Sequence, residues 1–401
     1  MKVLTFSTLY PNAARRAHGI FVETRLRQLV ASGQVESTVV APVPWFPLTH
    51  PSFGTYAAQA RAPRTETRNG IEVLHPRFPV LPKIGMTLAP LLLYRAVLPL
   101  VERLWRERGF DLIDAHYFYP DGVAAAMLAR RLDAPAVITA RGSDVNLIAQ
   151  YRFPRRMIRW AARQAAAVIA VSQALKDGLA ALGVEHERIH VLRNGVDLEL
   201  FHANDRNAVR TELDLRRPTL LSVGNLLAFK GHGLVIEALS LLPECELVIA
   251  GEGPDRAAFE ALARRRGVSG RVRFVGSLDQ QDLRRYYCAA DALVLASSRE
   301  GWPNVLLEAM ACGTPVVATA VGGVPEIVTS ADAGAVVEER SAPALARAVR
   351  ELLARPRERS ATRRFAEQFG WDATSKGQLQ LFRQVLAANS PPRAMQMARA
   401  G

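Results

Sequence analysis

Two glutamates, Glu300 and Glu308, stand in a stretch whose residue types and spacing suit recognition of a sugar phosphate. The apolar run 292–295 predicts a strand and the run 305–311 predicts a helix, so Glu300 lies in the loop between them. Open α/β sheets bind ligands at that end of a strand. The free N–H groups at the start of the helix favour a phosphate. Glu308, one turn into the helix, suits the vicinal hydroxyls of a ribose, and Glu300 is placed to reach sugar hydroxyls.

Lys230 follows the first predicted strand of the second half, residues 219–223. A point charge at that position can neutralise a diphosphate leaving group. Asn225, in the same segment, can donate a hydrogen bond. For the two glutamates and the lysine alike, a solvated surface charge is the alternative interpretation.

Loops of the first half carry four further candidates: Gly19, His116, Arg141 and Asp144. Gly19 has no Cβ, so the backbone there can approach a ligand phosphate closely, although an ordinary loop glycine is the alternative. His116 ends a predicted strand, at the edge of the sheet where ligands bind. A histidine with a purely structural role is the alternative interpretation. Arg141 places a cation after the next strand. Asp144 orients Arg141 or a hydroxyl group of a ligand, or else it caps the following helix.

Short apolar runs alternate with helical patterns along nearly all of the 401 residues, which is typical of an α/β fold with parallel sheets. The pattern restarts near residue 200, so we predict two Rossmann-like domains, residues 1–200 and 201–370. Residues 371–389 are predicted to form a helix that crosses back to the first domain. The Pro- and Ala-rich residues 390–401 are predicted to be a flexible tail.

The composition, with 49% hydrophobic and 22% charged residues, excludes a disordered, collagen-like or coiled-coil chain. Three scattered cysteines are too few for a disulfide framework or a zinc site, which indicates a reducing compartment. The N-terminal residues do not form a signal-peptide pattern. The most apolar stretch, residues 86–101, is interrupted by two prolines and an arginine and is too short to span a membrane. We therefore expect a cytoplasmic protein that touches the inner face of the cell membrane only peripherally.

The formal net charge is +13, and the first 200 residues hold 25 basic against 16 acidic side chains. This balance is compatible with nucleic acid, an anionic membrane or phosphorylated substrates. A recognisable nucleic-acid-binding module is absent from the sequence, so we expect no nucleic-acid partner.

The segment 151–164 favours an anionic membrane among these possible partners. On a helix its arginines share one face beside aromatic residues, as in helices that bind anionic membranes. The residues predicted to meet the membrane are Arg152, Arg155, Arg156, Arg159, Trp160 and Arg163. A packed helix with a solvated arginine stripe is the alternative. The apolar region 86–105 either adds to the membrane contact or forms an acceptor groove.

Together these segments resemble the retaining family 4 glycosyltransferases of the GT-B fold, within the bacterial exopolysaccharide and teichuronic acid group. The most specific part is Glu300, seven residues and Glu308, followed by Ala-Cys-Gly-Thr-Pro-Val-Val. The supporting pieces, in the family's order and across almost the whole chain, are Gly19, His116, Arg141-Gly142-Ser143-Asp144, Asn194-Gly195-Val196-Asp197, Gly224-Asn225-Leu226 with Lys230-Gly231, Gly251-Glu252-Gly253-Pro254 and Gly322-Gly323-Val324-Pro325-Glu326.

The resemblance implies two Rossmann-like domains facing across a cleft, with the donor bound mainly to the C-terminal domain and the acceptor to the N-terminal one. It implies donor contacts from Gly19, Asn225, Lys230, Arg273, Phe274, Val275, Glu300, Gly301, Asn304, Val305, Leu306 and Glu308. Within that set, residues 273–275 would present backbone groups and an apolar wall to the nucleobase. His116, Lys230 and Glu300 would be catalytic, and Arg141 and Asp144 would lie on the acceptor side.

Two positions depart from the family pattern. The family usually carries an arginine where Asn225 stands, so the phosphate site has one fewer permanent charge. Many relatives carry a histidine where Arg141 stands, so this position keeps a cation but loses a titrating group.

We therefore predict a retaining hexosyltransferase that uses a UDP- or GDP-linked sugar. It is expected to need no cofactor and no metal, because no Asp-x-Asp motif is present to hold a donor-bridging ion. The expected acceptor is a lipid-linked saccharide of envelope or exopolysaccharide assembly. The alternative acceptor is a soluble molecule such as an inositol phosphate. The alternative functions are those of an epimerase or phosphorylase on the same fold, or of an inactive protein that binds a sugar nucleotide.

Overall fold

The computed structural model describes residues 1–16, 18–46, 50, 55–80, 85–355 and 358–389. The chain divides into two compact units. The first comprises Met1–Arg193 and the C-terminal segment from Asp372, and the second comprises Asn194–Trp371. Each unit is built on its own mainly parallel sheet, which confirms the predicted α/β class.

The first unit contains an eight-stranded sheet and a two-stranded one. Its strands are β1 (Lys2–Phe6), β2 (Glu36–Val40), β3 (Val43–Pro44), β4 (Thr65–Arg68), β5 (Ile71–Leu74), β6 (Arg77–Phe78), β7 (Leu112–His116), β8 (Ala136–Ala140), β9 (Ala167–Ala170) and β10 (Ile189–Val191). The large sheet has the order β10-β9-β8-β7-β1-β2-β5-β4, and β4 is its antiparallel strand. Strands β7, β8 and β9 are buried along their whole length, as is typical of parallel strands with both faces covered.

The helices of residues 1–193 are α1 (Ile20–Ala31), α2 (Thr55–Ala60), α3 (Gly85–Arg108), α4 (Val123–Leu132), α5 (Ser143–Asn146), α6 (Arg152–Gln164) and α7 (Gln173–Ala181). Helix α3 was not predicted, because Pro90 and Pro99 interrupt its pattern. It forms nonetheless, since Leu93, Val97 and Val101 are fully buried at helical spacing. Much of the apolarity of residues 86–105 is therefore used in packing inside the unit, and this corrects the assignment of the whole stretch to a membrane or a groove.

The second unit contains one parallel sheet of six strands. Its strands are β11 (Thr219–Val223), β12 (Glu246–Ala250), β13 (Val272–Gly276), β14 (Ala292–Leu295), β15 (Val316–Thr319) and β16 (Gly334–Val337), in the order β13-β12-β11-β14-β15-β16. Its helices are α8 (Arg206–Glu212), α9 (His232–Ser240), α10 (Arg256–Arg265), α11 (Gln280–Ala289), α12 (Asn304–Ala311), α13 (Val324–Ile327), α14 (Ala342–Ala354) and α15 (Arg359–Glu367). Side-chain caps fix several helix starts. Asp279 accepts a hydrogen bond from the backbone of Asp282, and Ser341 accepts one from Ala344.

The last helix, α16 (Trp371–Asn389), belongs to the first unit from Asp372 onward. Its apolar face, with Leu379, Leu381 and Phe382, packs into the core that contains β1 and β7. The first unit thus draws on both ends of the chain. Residues 390–401, predicted to be a flexible tail, lie outside the described residues.

The division between the units falls after Arg193, seven residues before the predicted boundary. Residues from Asn194 onward are held by the second unit, because Trp302 Nε1 donates to Asn194 O at 2.9 Å and Val196 N donates to Phe369 O at 2.9 Å. No helix among the described residues is both long and apolar enough to cross a membrane.

Candidate functional site

The sheet of the second unit reverses its strand order between β11 and β14. In doubly wound sheets, ligands bind beyond the carboxyl ends of the strands at this switch point. The loop after β11 carries Lys230 and the loop after β14 carries Glu300, and Lys230 Nζ lies 2.7 Å from Glu300 Oε1. Ser297 Oγ donates to the same oxygen at 2.7 Å. Two residues predicted from separate motifs therefore meet where the topology favours a ligand.

Two glycines allow the backbone segments around this pair to approach each other more closely than any residue with a Cβ would permit. Gly231 has φ +78°, and a Cβ there would lie 1.9 Å from Ala296 O. Gly322 has φ +53°, and a Cβ there would lie 1.9 Å from Glu300 O. The backbone that carries the Lys230–Glu300 pair is therefore fixed from both sides by residues without a Cβ.

Helix α12 begins at Asn304, directly after the Glu300 loop. The loop is anchored by Trp302, whose indole N–H donates to Asn194 O, and Asn194 Nδ2 donates to Asn304 Oδ1 at 3.3 Å. Gly301 is buried beside Trp302. The start of α12, with its partly positive N–H groups, is thus rigidly placed next to Glu300.

Glu308 lies one turn into α12 and accepts a hydrogen bond from Tyr287 OH at 2.8 Å. Burial raises the pKa of Glu308 to about 7, although the bond from Tyr287 opposes this shift. Burial and the nearby Glu308 likewise raise the pKa of the Tyr287 hydroxyl well above its ordinary value, so it stays a donor. Tyr287 was not predicted, because it lies on α11, outside the motif.

The remaining predicted donor residues fall into two groups. Asn225 is exposed on the loop after β11, and Val305 is half-buried at the start of α12. Leu306, in contrast, is fully buried, and its backbone N–H donates to Pro303 O at 3.1 Å. This corrects the prediction for Leu306, which packs in the core instead of presenting a group to a ligand.

Residues 273–275 lie on β13, the edge strand of the sheet. The exposed side chain of Arg273 donates to Leu213 O at 2.6 Å and to Asp214 O at 3.1 Å, so it fastens the segment that follows α8. The side chain of Arg273 is thus used within the unit, and the nucleobase contact through backbone groups and an apolar wall of residues 273–275 stays a prediction. Phe274 and Val275 are half-buried, and the Phe274 ring lies 5.6 Å beneath the Arg256 guanidinium.

In the first unit the strand order reverses between β1 and β7. The two loops that follow these strands are joined by Asp121, which accepts hydrogen bonds from Thr8 N at 2.7 Å, from Thr8 Oγ1 at 2.9 Å and from Ser7 Oγ at 3.2 Å. Burial raises the pKa of Asp121 to about 7, although these donors oppose the shift. Asp121 organises this edge, and the sequence signalled it only through its place in a Tyr-Pro-Asp-Gly turn.

His116, at the end of β7, is 1% exposed and has a partner on each ring nitrogen. Arg141 Nη2 lies 2.6 Å from Nδ1, and Asp114 Oδ2 lies 3.3 Å from Nε2. Burial lowers the pKa of His116, Asp114 opposes this shift and Arg141 adds to it. Both nitrogens are thus engaged inside the unit, and the catalytic role of His116 that the resemblance implies stays a prediction.

A buried chain of polar side chains continues from Asp114 to α16. Gln378 Nε2 donates to Asp114 Oδ2 at 2.9 Å, and Arg25 Nε donates to Gln378 Oε1 at 2.7 Å. Burial alone would raise the pKa of Asp114, but His116, Arg25 and Arg141 hold it below its ordinary value. The C-terminal helix therefore fixes the residues around His116, a role for which the sequence held no signal.

Asp144 is fully buried, and its carboxylate accepts hydrogen bonds from four backbone N–H groups. The donors are Phe118, Arg141, Gly142 and Val145, at 2.7–3.2 Å. Burial raises the pKa of Asp144 in spite of these donors. The carboxylate has no exposed oxygen for an acceptor, which corrects the acceptor-side prediction: Asp144 shapes the loop that carries Arg141.

Arg141 itself is half-buried, and burial together with the charge of Arg25 lowers its pKa to about 9. Its guanidinium stacks 5.3 Å above the ring of Phe21, in the first turn of α1. It thus remains a cation at neutral pH.

Gly19 is the N-cap of α1 and has φ +61°; a Cβ there would lie 1.7 Å from Leu9 O. The glycine is therefore required for a close backbone approach within the unit. Next to it, Arg15 Nη2 lies 3.1 Å from His18 Nδ1, and burial and Arg15 lower the pKa of His18 to about 4. Gly19 thus lies next to His18, which is in contact with Arg15.

The arginines predicted to meet a membrane are all exposed on α6. Arg155 Nε donates to Ala149 O at 2.7 Å. Tyr151 and Phe153 at the start of the helix are 51% and 54% exposed, whereas Trp160 is half-buried, so it offers less surface than predicted. The buried side of α6 is formed by Pro154, Ile158, Ala161 and Ala162. The helix therefore presents a basic face with an aromatic end.

Comparison with protein families matches two family models to the two halves of the chain. The model described as Glycosyltransferase Family 4 covers residues 19–200, and the one described as Glycosyl transferases group 1 covers residues 204–369. The chain is 30% identical over 359 residues to a putative teichuronic acid biosynthesis glycosyltransferase of Bacillus subtilis, across 87% of this chain and 88% of that protein. It is 32% identical over 366 residues to a D-inositol 3-phosphate glycosyltransferase of Xylanimonas cellulosilytica, across 83% and 86%.

Two solved structures share the fold of the chain. Sucrose-phosphate synthase from Thermosynechococcus elongatus matches with a TM-score of 0.79 at 23% identity, over 96% of this chain and 99% of that one. Anabaena HepE in complex with UDP-glucose matches with a TM-score of 0.73 at 21% identity, over 97% of this chain and 100% of that one. At these identities the likeness establishes the fold, with two Rossmann-like domains.

Proposed function

The chain belongs to the family 4 glycosyltransferases of the GT-B fold, and from that premise we propose that it transfers a hexose from a UDP- or GDP-linked sugar to a hydroxyl group with retention at the anomeric carbon. The observation that supports this most directly is the Lys230–Glu300 pair at the switch point of the second unit. The loop that carries Glu300 leads into α12, and Glu308 lies one turn into that helix. A cation, helix N–H groups and a carboxylate match the diphosphate and the ribose of such a donor.

In the proposed reaction the bond between the anomeric carbon and the diphosphate oxygen breaks, and the acceptor oxygen bonds to that carbon from the same face. Lys230 and the start of α12 stabilise the negative charge on the departing diphosphate. A diphosphate oxygen takes the proton of the acceptor hydroxyl, so the step requires no protein base. This is compatible with His116, whose ring nitrogens are both engaged.

Glu300 lies at the carboxyl end of β14, beside Lys230, and we propose that it accepts hydrogen bonds from the sugar hydroxyls there. With Lys230 supplying positive charge at the diphosphate, we propose that no divalent ion is required. Binding measured in excess EDTA tests this directly, and a requirement for Mg²⁺ or Mn²⁺ contradicts it.

For the acceptor we propose a lipid-linked saccharide of envelope polysaccharide assembly, reached by a chain that lies on the inner face of the membrane. The basic face of α6, with exposed Tyr151 and Phe153, supports this. So does the Bacillus subtilis relative, whose name refers to teichuronic acid biosynthesis. A soluble inositol phosphate is the second candidate, because the relative from Xylanimonas cellulosilytica is a D-inositol 3-phosphate glycosyltransferase.

The deciding experiment is calorimetric titration of the chain with UDP, GDP and ADP in excess EDTA, beside the variant Glu308→Ala. We expect UDP or GDP to bind, ADP not to bind, and the substitution to weaken the binding at least tenfold. Glu326→Ala, which removes a half-buried glutamate from the start of α13, is the matched control and should leave binding unchanged. Failure of all three nucleotides to bind the wild-type chain would overturn the proposed donor class.

A further inference from the structure

Arg299 lies next to Glu300 in the loop after β14 and stacks on an aromatic ring of the neighbouring loop. Its guanidinium carbon is 4.2 Å from the centroid of the Phe229 ring. The ring also has Lys230 Nζ 5.6 Å from its centroid. Phe229 thus holds two cations, one from each of the two loops at the switch point.

The backbone keeps this arrangement in place. Ser298 N donates to Phe229 O at 2.8 Å, so the residue before Arg299 is bonded to the residue that carries the ring. A guanidinium stacked on an aromatic face keeps a fixed plane, and its N–H groups point outward in that plane. This is the geometry in which arginine recognises two oxygens of one phosphate.

Arg299 differs from other half-buried arginines of the second unit in how its donors are used. Arg359 donates to three backbone carbonyls and to the Thr314 hydroxyl, and Arg271 donates to three carbonyls. Arg299 Nε is buried and has no hydrogen-bond partner. The same holds for Nε of Arg206 and Arg284, but those two arginines donate through their Nη atoms, to Asp291 and to Leu200 O. Within the described part of the chain no carboxylate lies within 4.0 Å of the Arg299 guanidinium. A buried donor without a partner costs free energy, which a ligand can recover.

The side chains around Arg299 carry a net positive charge, which favours the binding of an anion. Glu300 already pairs with Lys230, so the cluster of Lys230, Arg299 and Glu300 has a net charge of +1. Lys230 is the only basic residue of the loop sequence 224–231, and Arg299 is the only one of 296–303. Lys230 and Arg299 are therefore the two positively charged side chains that these loops bring to the switch point.

We propose that Arg299 binds the diphosphate of the donor, as the second cation beside Lys230. The inference rests on the proposed function, since it names a residue that binds the donor it assigns. Arg299 then compensates for Asn225, which is exposed on the same edge and uncharged. The bound group is a nucleoside diphosphate or its sugar ester, and a nucleoside monophosphate lacks the second phosphate that the arginine would hold.

The test compares nucleoside diphosphate and monophosphate binding by calorimetry for the wild-type chain, Arg299→Gln and Arg299→Lys. We expect Arg299→Gln to weaken the diphosphate at least tenfold and the monophosphate by less than twofold. Arg299→Lys keeps the charge without the planar fork and should give an intermediate loss. Arg350→Gln is the control, because Arg350 donates to Leu241 O just beyond the far end of α9.

Thermal unfolding of each variant establishes that it is folded before binding is measured. Wild-type affinity for the diphosphate in Arg299→Gln, or equal losses for diphosphate and monophosphate, would overturn the inference while leaving the donor class intact. If the wild-type chain binds no nucleotide, the proposed function fails and the inference fails with it.

Discussion

The Nη2 atom of Arg141 lies 2.6 Å from Nδ1 of His116, on the side of the ring opposite Asp114. Because a guanidinium can only donate, Nδ1 must accept, and the ring proton then sits on Nε2 and faces the Asp114 carboxylate. The contact therefore fixes His116 as the neutral Nε2–H tautomer. Gln378 and Arg25 extend the network and hold Asp114 in place.

Replacement of Arg141 by alanine should raise the pKa of His116. The guanidinium lowers that pKa, so its removal leaves burial and the more weakly acting charge of Arg25 against the charged ring. An imidazole titration followed by NMR measures the change. The pKa of His190, which burial and Lys176 lower, serves as the internal reference and should not move. An unchanged His116 titration, or a proton found on Nδ1 in the wild-type chain, would contradict the assignment.

The same shift predicts how stability depends on pH. The pKa of His116 is lower in the folded chain than its ordinary value of 6.5, so the unfolded state binds more protons below that pH. The contribution is present above pH ~6.5 and is lost as the pH falls, at about 1.4 kcal/mol per pH unit at most. His18 and His232, whose pKa values burial lowers to about 4, add to the same loss. Denaturant unfolding of His232→Gln should show a shallower decline between pH 6.5 and 4; an identical decline would count against this account.

Glu308→Gln should stabilise the unliganded chain at alkaline pH. Burial raises the pKa of Glu308 from 4.5 to about 7, so the stability tied to its proton is present below pH 4.5 and is lost as the pH rises through 7. A glutamine oxygen still accepts from Tyr287 and carries no charge to desolvate. The free energy of unfolding should therefore be higher than that of the wild type at pH 8, with little difference at pH 5. A glutamine variant that is less stable at both values would refute this.

Gly231→Ala should destabilise the second unit far more than Gly267→Ala. Both glycines have a positive φ, +78° and +69°, so each substitution carries a backbone strain of about 1–2 kcal/mol. Only Gly231 adds a clash, since its Cβ would lie 1.9 Å from Ala296 O, whereas Gly267 has nothing within 4 Å. Thermal unfolding and nucleotide binding of the two variants check this. Equal losses of stability would show that the close approach of the two loops is not needed.

Removal of three arginines from α6 should release the chain from anionic vesicles. We choose Arg152, Arg156 and Arg163, all replaced by glutamine, and spare Arg155 because it fastens Ala149. Each charge near an anionic surface contributes ~1 kcal/mol, so the loss should be about 3 kcal/mol, on the order of a hundredfold in affinity. Co-sedimentation with phosphatidylglycerol vesicles measures it.

A matched triple variant of the second unit, with exposed Arg216, Arg264 and Arg265 replaced by glutamine, controls for net charge. Phosphatidylcholine vesicles control for the surface charge of the lipid. Equal retention of both triple variants on the anionic vesicles would sink the membrane hypothesis for α6.

The sequence by itself determined the features that depend on local order. Runs of buried aliphatic residues predicted the parallel strands, because such strands are covered on both faces. Glu300 and Glu308 are eight residues apart on one strand-loop-helix unit, so their spacing and the family resemblance placed both at the ligand edge of a sheet. The same local logic failed for α3, where the burial of one face outweighs two prolines.

Only the tertiary structure decided which side chains meet and which are left for a ligand. Lys230 and Glu300 are 70 residues apart, and Gln378 is 264 residues from Asp114. Asp144 and Arg273 stood at predicted edges, yet backbone N–H groups and carbonyls from neighbouring segments engage both. A pattern along the chain gives the edge on which a residue lies. The partner of its side chain depends on distant elements that pack against it. Burial then determines whether the side chain stays charged and whether it is available to bind a ligand.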